Sequence, residues 1–179
     1  AKCTPMVTGP CSGSVDPDGI ILPMDSIVAL DLETTGLSAE NDAIIEIAAV
    51  RFNDRRVEGE WQTLLHPGRR IPPFITQLTG ITDSMVVDKP AIREVLPDLQ
   101  QFIGDAPIIG HIVGFDVGFL RRYGILLRND LLDTYDLASV LLPNAGRYNL
   151  SALAQALCVP VTGAQRAMQY AHTTRLVFQ

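Results

Sequence analysis

From Ser26 onward, short apolar runs alternate with turn-forming segments. "SIVALDLE" (26–33), "AIIEIAAVRF" (43–52) and "GEWQTLLHP" (59–67) are separated by "TTGLSAEND" and "NDRRVE", which predicts three strands in a meander. The period then changes. In "AIREVLPDLQQFIG" (91–104) Ile92, Val95, Leu96, Leu99, Phe102 and Ile103 recur at helical spacing, with Pro97 as a candidate kink and Gly104 as the stop. "APIIGH" (106–111) reads as a buried strand and "GFDVGFLRRYG" (114–124) as a helix closed by Gly124. "LLDTYDLASVLLP" (131–143) reads as a strand running into a helix that Pro143 ends, and "NLSALAQAL" (149–157) as a helix capped by Asn149. "GAQRAMQYAHTT" (163–174) opens a last helix. Strands first and strand–helix alternation afterwards predict an α/β domain with a mixed sheet and helices on its faces.

Residues 1–24, rich in Pro, Gly, Ser and Thr and without a sustained period, read as a flexible leader to one domain at 25–179. At 47% apolar residues, the chain can bury a proper core. The formal net charge of −6 repels a polyanion at long range, so any nucleic-acid contact must be local. Arg51, Arg55, Arg56, Arg69, Arg70, Arg121 and Arg122 gather in short clusters that read as solvated faces. Cys3, Cys11 and Cys158 are odd in number and lack the close pairing of a zinc site. Neither a secretory segment nor an 18-residue apolar span is present, so a cytoplasmic location away from membranes is expected.

Candidate chemistry begins at "ALDLETTG". Asp31 and Glu33 sit at i and i+2 on a predicted strand, so both project from one face, and two like charges there call for a cation. The same spacing also suits a capped turn after a core strand. "GHIVGFD" places Asp116 where a strand end meets a helix start, a usual site position in α/β sheets, although an acid there also simply favours the helix dipole.

On these acids, "ALDLETTG" and "GHIVGFD" resemble the first two motifs of the DEDDh (DnaQ-like) 3′-to-5′ exonucleases. "IPPFITQLTGITDSMV", "LLDTYDLASVLLP" and "YNLSALAQAL" resemble further segments of that family, and the similarity spans roughly residues 25–179. The wording is most similar to the exonuclease domain of DinG-type helicases or of bacterial replicative polymerases. The resemblance implies an RNase H-like fold, a five-stranded mixed sheet with its second strand antiparallel. It also implies two Mg²⁺ or Mn²⁺ ions, with Asp31 bridging, Glu33 on the water-activating ion and Asp116 on the leaving-group ion. Thr34, Thr35, Leu37, His111 and Phe115 would surround the terminal nucleotide of a single strand, most readily DNA; Phe115 equally suits core packing.

The last helix departs from the family pattern. Gln165 stands where the resemblance implies a general-base His, and Tyr170 where it implies the fourth metal-binding Asp. A Gln amide accepts no proton near neutral pH, and a Tyr phenol carries no charge there. Gln165 also fits a capping box with Thr162. His172 lies about 10 Å farther along the axis than Gln165 and reads as an ordinary helix residue. Ile112 replaces a family Asn. The expectation is a metal-dependent 3′–5′ exonuclease domain with severely weakened or lost activity; the rival is a non-catalytic docking module within a larger replication or repair protein.

Overall fold

The computed structural model describes residues 26–125, 128–160 and 166–179. The β-branched runs pair as β1 (Ile27–Thr34), β2 (Ile44–Phe52) and β3 (Val57–Leu64), and β4 (Ile108–Gly110) and β5 (Leu131–Asp133) follow. Their order in the sheet is β3-β2-β1-β4-β5. β2 runs antiparallel to β1 and β3, while β1, β4 and β5 are mutually parallel, which is the mixed topology the resemblance implied.

Period-two alternation divides β1 between two layers. Val28, Leu30 and Leu32 pack with α3 (Ile92–Ile103) and α4 (Val113–Arg122). Ile27 and Ala29 pack beneath α7 (Ala167–Phe178) with Val50, Phe52 and Ala171. Asp31 and Glu33 continue that second row, at the end of β1 where the apolar cover stops.

Helix ends follow local chemistry. Asn149 caps α6 (Leu150–Ala156) by accepting from the Ala152 N–H at 2.9 Å, and Gly124, at φ +88°, closes the turn after α4. α3 runs unbroken through the exposed Pro97, and its start is held by the Glu94 carboxylate, which accepts from the Ala91 N–H at 2.6 Å. Two short helices, α1 (Pro73–Thr79) and α2 (Asp83–Val86), occupy the segment "IPPFITQLTGITDSMV", where no elements were expected. They are too short for their apolar period to stand out. The last helix begins at Ala167; the expected start at 163, the Thr162–Gln165 box and the leader lie outside the described residues. Among the described residues no helix is long and apolar enough to cross a membrane.

Asp133 joins two helix starts. Its carboxylate accepts from the Ile112 and Val113 N–H groups at 2.9 and 3.0 Å and from Tyr135 N–H at the head of α5 (Thr134–Leu141). In this arrangement Ile112 is driven into the left-handed region, φ 63° and ψ 47°, although it is 55% exposed. A β-branched residue is strained there, whereas Asn tolerates the conformation. Ile112→Asn is therefore expected to stabilise the domain by about 1 kcal/mol, read as a raised urea midpoint. An unchanged or lowered midpoint contradicts the strain.

Candidate active site

β1 delivers Asp31 and Glu33 to the edge of the α7 layer, both partly exposed, and α4 delivers Asp116, which is 4% exposed. β4 stops at Gly110, so the Leu32 N–H beyond it has no strand partner. Asp116 Oδ1 accepts that hydrogen bond at 3.1 Å, which fixes its carboxylate against β1 at Leu32, the residue between Asp31 and Glu33 in the chain. The three predicted acids are thus brought together.

Electrostatics report the same proximity. Burial, then the charges of Asp116, Glu33 and Glu46, hold the Asp31 pKa well above the usual carboxylate range. Burial and Glu46 push Glu33 up to about 7, against a lowering by Arg166. Burial likewise raises Asp116, opposed by its bond from Leu32. Oxygen donors that repel one another in this way match a hard divalent cation in chemistry and sign. They are not preassembled: among the described residues no group of three or more His, Cys, Asp or Glu side chains is gathered tightly enough to hold a metal ion as it stands.

Tyr170, one turn into α7, faces this cluster. Burial and the charges of Glu33 and Asp31 raise its phenol pKa, so the side chain is neutral at the position where the resemblance implied an acid. Gln165 lies outside the described residues. His172 is turned elsewhere, its Nε2 2.9 Å from Glu60 Oε1 on β3, and supplies no base to the acids.

Glu46, which the sequence analysis did not single out, organises the site. It lies directly across from Glu33 in the β1–β2 register and is wholly buried. Arg166, the N-cap residue of α7, grips it with two guanidinium nitrogens, Nε at 2.9 Å from Oε2 and Nη2 close to Oε1. Gln62 Nε2 at 2.8 Å and the Ala167 N–H at 3.1 Å complete its donors. The signal was a lone acid in the apolar run Ile44–Val50 of β2.

The residues expected around a nucleotide divide. Leu37 is 87% exposed beside the acids' strand end. Thr34 and Thr35 are buried. Their hydroxyls serve the loop: Thr34 Oγ1 donates to Gly36 O at 2.6 Å, and Thr35 Oγ1 donates to Asp42 at 3.1 Å while accepting from Ala43 N–H. Those side chains hold the turn, so a ligand would meet its backbone. A Cβ at Gly36 would lie 2.4 Å from Asp42 Oδ2, so only Gly lets that carboxylate close the loop. His111 keeps Nδ1 3.0 Å from Thr134 Oγ1, and its buried Nε2 has no hydrogen-bond partner. Burial lowers its pKa and favours the neutral ring. Phe115 stacks obliquely on Phe119 with centroids 4.9 Å apart, which fits its core-packing role.

The arginine clusters are partly structural. Arg51 donates to the Phe102 and Ile103 carbonyls at the end of α3, and Arg122 donates to the Ala39 and Asp42 carbonyls.

Two outcomes follow for the folded protein. Arg166→Ala leaves the Glu46 carboxylate buried and short of two donors, and is expected to cost about 3–5 kcal/mol, measured by urea unfolding. A loss below about 1 kcal/mol would show that the pair is dispensable. Acids with raised folded-state pKa values bind protons more tightly folded than unfolded. For Glu33 that stabilisation is complete below an unfolded value of about 4.3 and is lost as pH rises through about 7. In EDTA the unfolding midpoint should therefore fall between about pH 5 and pH 8, and fall less in Glu33→Gln. A flat profile in the wild type contradicts the crowding.

Comparisons with known proteins agree with this fold. The RNase_T family model, described as Exonuclease, matches residues 28–178. The DNA polymerase III subunit epsilon of Aquifex aeolicus (strain VF5) is 37% identical over 158 residues, covering 86% of this chain and 78% of that protein. The PolC-type DNA polymerase III of Clostridium perfringens (strain 13 / Type A) is 38% identical over 154 residues, 84% of this chain but only 11% of that protein. Among solved structures, an exonuclease X in complex with 5′ overhanging duplex DNA superposes with a TM-score of 0.69 at 29% identity, covering 85% of this chain and 89% of that one. An E. coli exonuclease I in complex with a dT13 oligonucleotide reaches 0.72 at 19% identity over 87% of this chain and 40% of that one, a likeness of fold.

Proposed function

The chain belongs to the exonuclease family, and from that premise we propose that it receives the 3′ end of a DNA strand at Asp31, Glu33 and Asp116 while cleaving it feebly or not at all. One observation carries the second half: neutral Tyr170 occupies the place beside Glu33 and Asp31 where the fourth carboxylate would stand. DNA is the strand class named for the epsilon, PolC and exonuclease X relatives.

Hydrolysis of a terminal phosphodiester adds water to phosphorus and expels the 3′-oxygen of the preceding nucleotide, which leaves with a proton. Mg²⁺ or Mn²⁺, when bound, supplies Lewis acidity for the water and the phosphoryl oxygens. Asp31, Glu33 and Asp116 would hold the cation, and the Leu32 N–H keeps Asp116 aimed at it. The exposed Leu37 and the backbone of Thr34 and Thr35 border the place for the terminal nucleotide, with His111 and Phe115 behind. A Gln amide at position 165, the general-base position the resemblance implies, would take no proton from water, and a neutral Tyr170 would add no charge to the ligand set. Loss of a general base alone costs about 10²- to 10⁴-fold.

A second reading, a docking module of a larger polypeptide, is favoured by an apolar groove of about 250 Å³ among α5, α6 and the end of α7. It is lined by Leu137, Leu141, Leu142, Leu157 and Phe178. Other domains of a replication protein are the natural occupants, since the chain matches 11% of the PolC relative's length.

The test is a 3′-end shortening assay on a labelled single strand with Mg²⁺ or Mn²⁺. Wild type should be at least about 100-fold slower than the double variant Gln165→His, Tyr170→Asp. Brisk shortening by wild type that vanishes in Asp31→Ala overturns the impairment. No oligonucleotide affinity, with or without metal, points instead to the docking role.

A further inference from the structure

Beside the acid cluster lies a polar recess of about 330 Å³, bounded by Glu46, Gln62, Thr63, Leu64, Lys89 and Arg166. Two cations line it in a chain of net charge −6. Their roles differ. Arg166 is committed to Glu46 by its two-nitrogen grip, and Gln62 is committed to the same carboxylate. Lys89 has no ion-pair partner among the described residues. The backbone fixes its place: the Lys89 N–H donates to the Val86 carbonyl at 3.1 Å, and the next residue's carbonyl accepts from His66 N–H just past β3 at 3.0 Å. Glu46, the one acid in the lining, has its oxygens occupied by four donors and so presents a compensated charge.

We propose that this recess is a subsite for a backbone phosphate of the bound strand, with the Lys89 ammonium as its cation and the Arg166–Glu46 pair as its floor. Glu46 faces Glu33 directly across the β1–β2 register, so the recess adjoins the acids and lies within reach of the first phosphates of a strand end held there. A single lysine of this kind resolves the electrostatic difficulty set by the overall charge: the attraction is local, placed beside the one point where a phosphate must approach carboxylates. Lys89 is a binding residue here and touches no reacting atom. The inference rests on the reading of the acids as a strand-end site.

The experiment measures oligo(dT) binding by fluorescence anisotropy across salt concentrations, with Mn²⁺ present, for the full chain and its variants. Each phosphate neutralised on a single strand contributes about 0.7 to the slope of log K against log salt. Lys89→Ala should weaken binding and lower that slope in magnitude by about 0.7, while Lys89→Arg keeps it. Arg55→Ala is the control for equal charge loss. It sits in the β2–β3 turn, and that turn adjoins the opposite end of β1 from Glu33, about 20 Å away at 3.3 Å per residue. It should leave the slope unchanged. If wild type binds and Lys89→Ala matches it in affinity and slope, the subsite is overturned and the strand-end reading survives. If Lys89→Ala and Arg55→Ala lower the slope equally, the effect is net charge and the subsite is overturned. A matching loss for thymidine 5′-monophosphate would assign the recess to a free nucleotide and overturn the strand assignment. No oligonucleotide binding by wild type overturns both readings.

Discussion

The Arg166–Glu46 ion pair ties the first half of the chain to the last helix across 120 residues. Glu46 has no access to water, so its charge is tolerable only while Arg166, Gln62 and the first N–H of α7 all reach it. That requirement sets where α7 begins and how far it extends over β1. Everything one turn later, including Tyr170 at the acids, inherits its position from this contact. Removing either partner leaves the other without its compensation, a far larger disturbance than loss of an exposed pair.

Crowded carboxylates give the site its chemical character. Burial and the charges of neighbouring carboxylates raise the proton affinity of Asp31, Glu33 and Asp116, and Arg166 offsets part of this for Glu33. Such a cluster stores an affinity for positive charge that a proton satisfies at low pH and a divalent cation satisfies at neutral pH. Tyr170 faces the same cluster as a neutral phenol and adds no charge to it.

Asp133 plays the matching part on the other side of the sheet. By accepting three backbone N–H groups it fastens the starts of α4 and α5 together, and α4 in turn carries Asp116. The strained Ile112 is the visible consequence of that fastening. An Asn at the same position would relax the backbone without touching any acid, which explains in physical terms why a polar residue suits it.

Local patterns were enough to locate the five strands and the main helices, because alternation, helical spacing and turn residues act over a few residues. Asn149 started α6 and Gly124 closed the turn after α4 for the same short-range reasons. The shared face of Asp31 and Glu33 was also legible, since a strand's pleat fixes it. Glu46 was different: a buried acid is intelligible only once its cation is known, and Arg166 arrives from 120 residues away through sheet register and helix packing. Thr35 turned inward to Asp42, and His172 found Glu60, by the same long-range logic. The sequence by itself determined the elements and the three acids that mark the site. Only the tertiary structure decided which charges are compensated, which stand unpaired beside the site, and where α7 sets Tyr170, because the energy of a charge depends on its surroundings in space rather than on its neighbours in the chain.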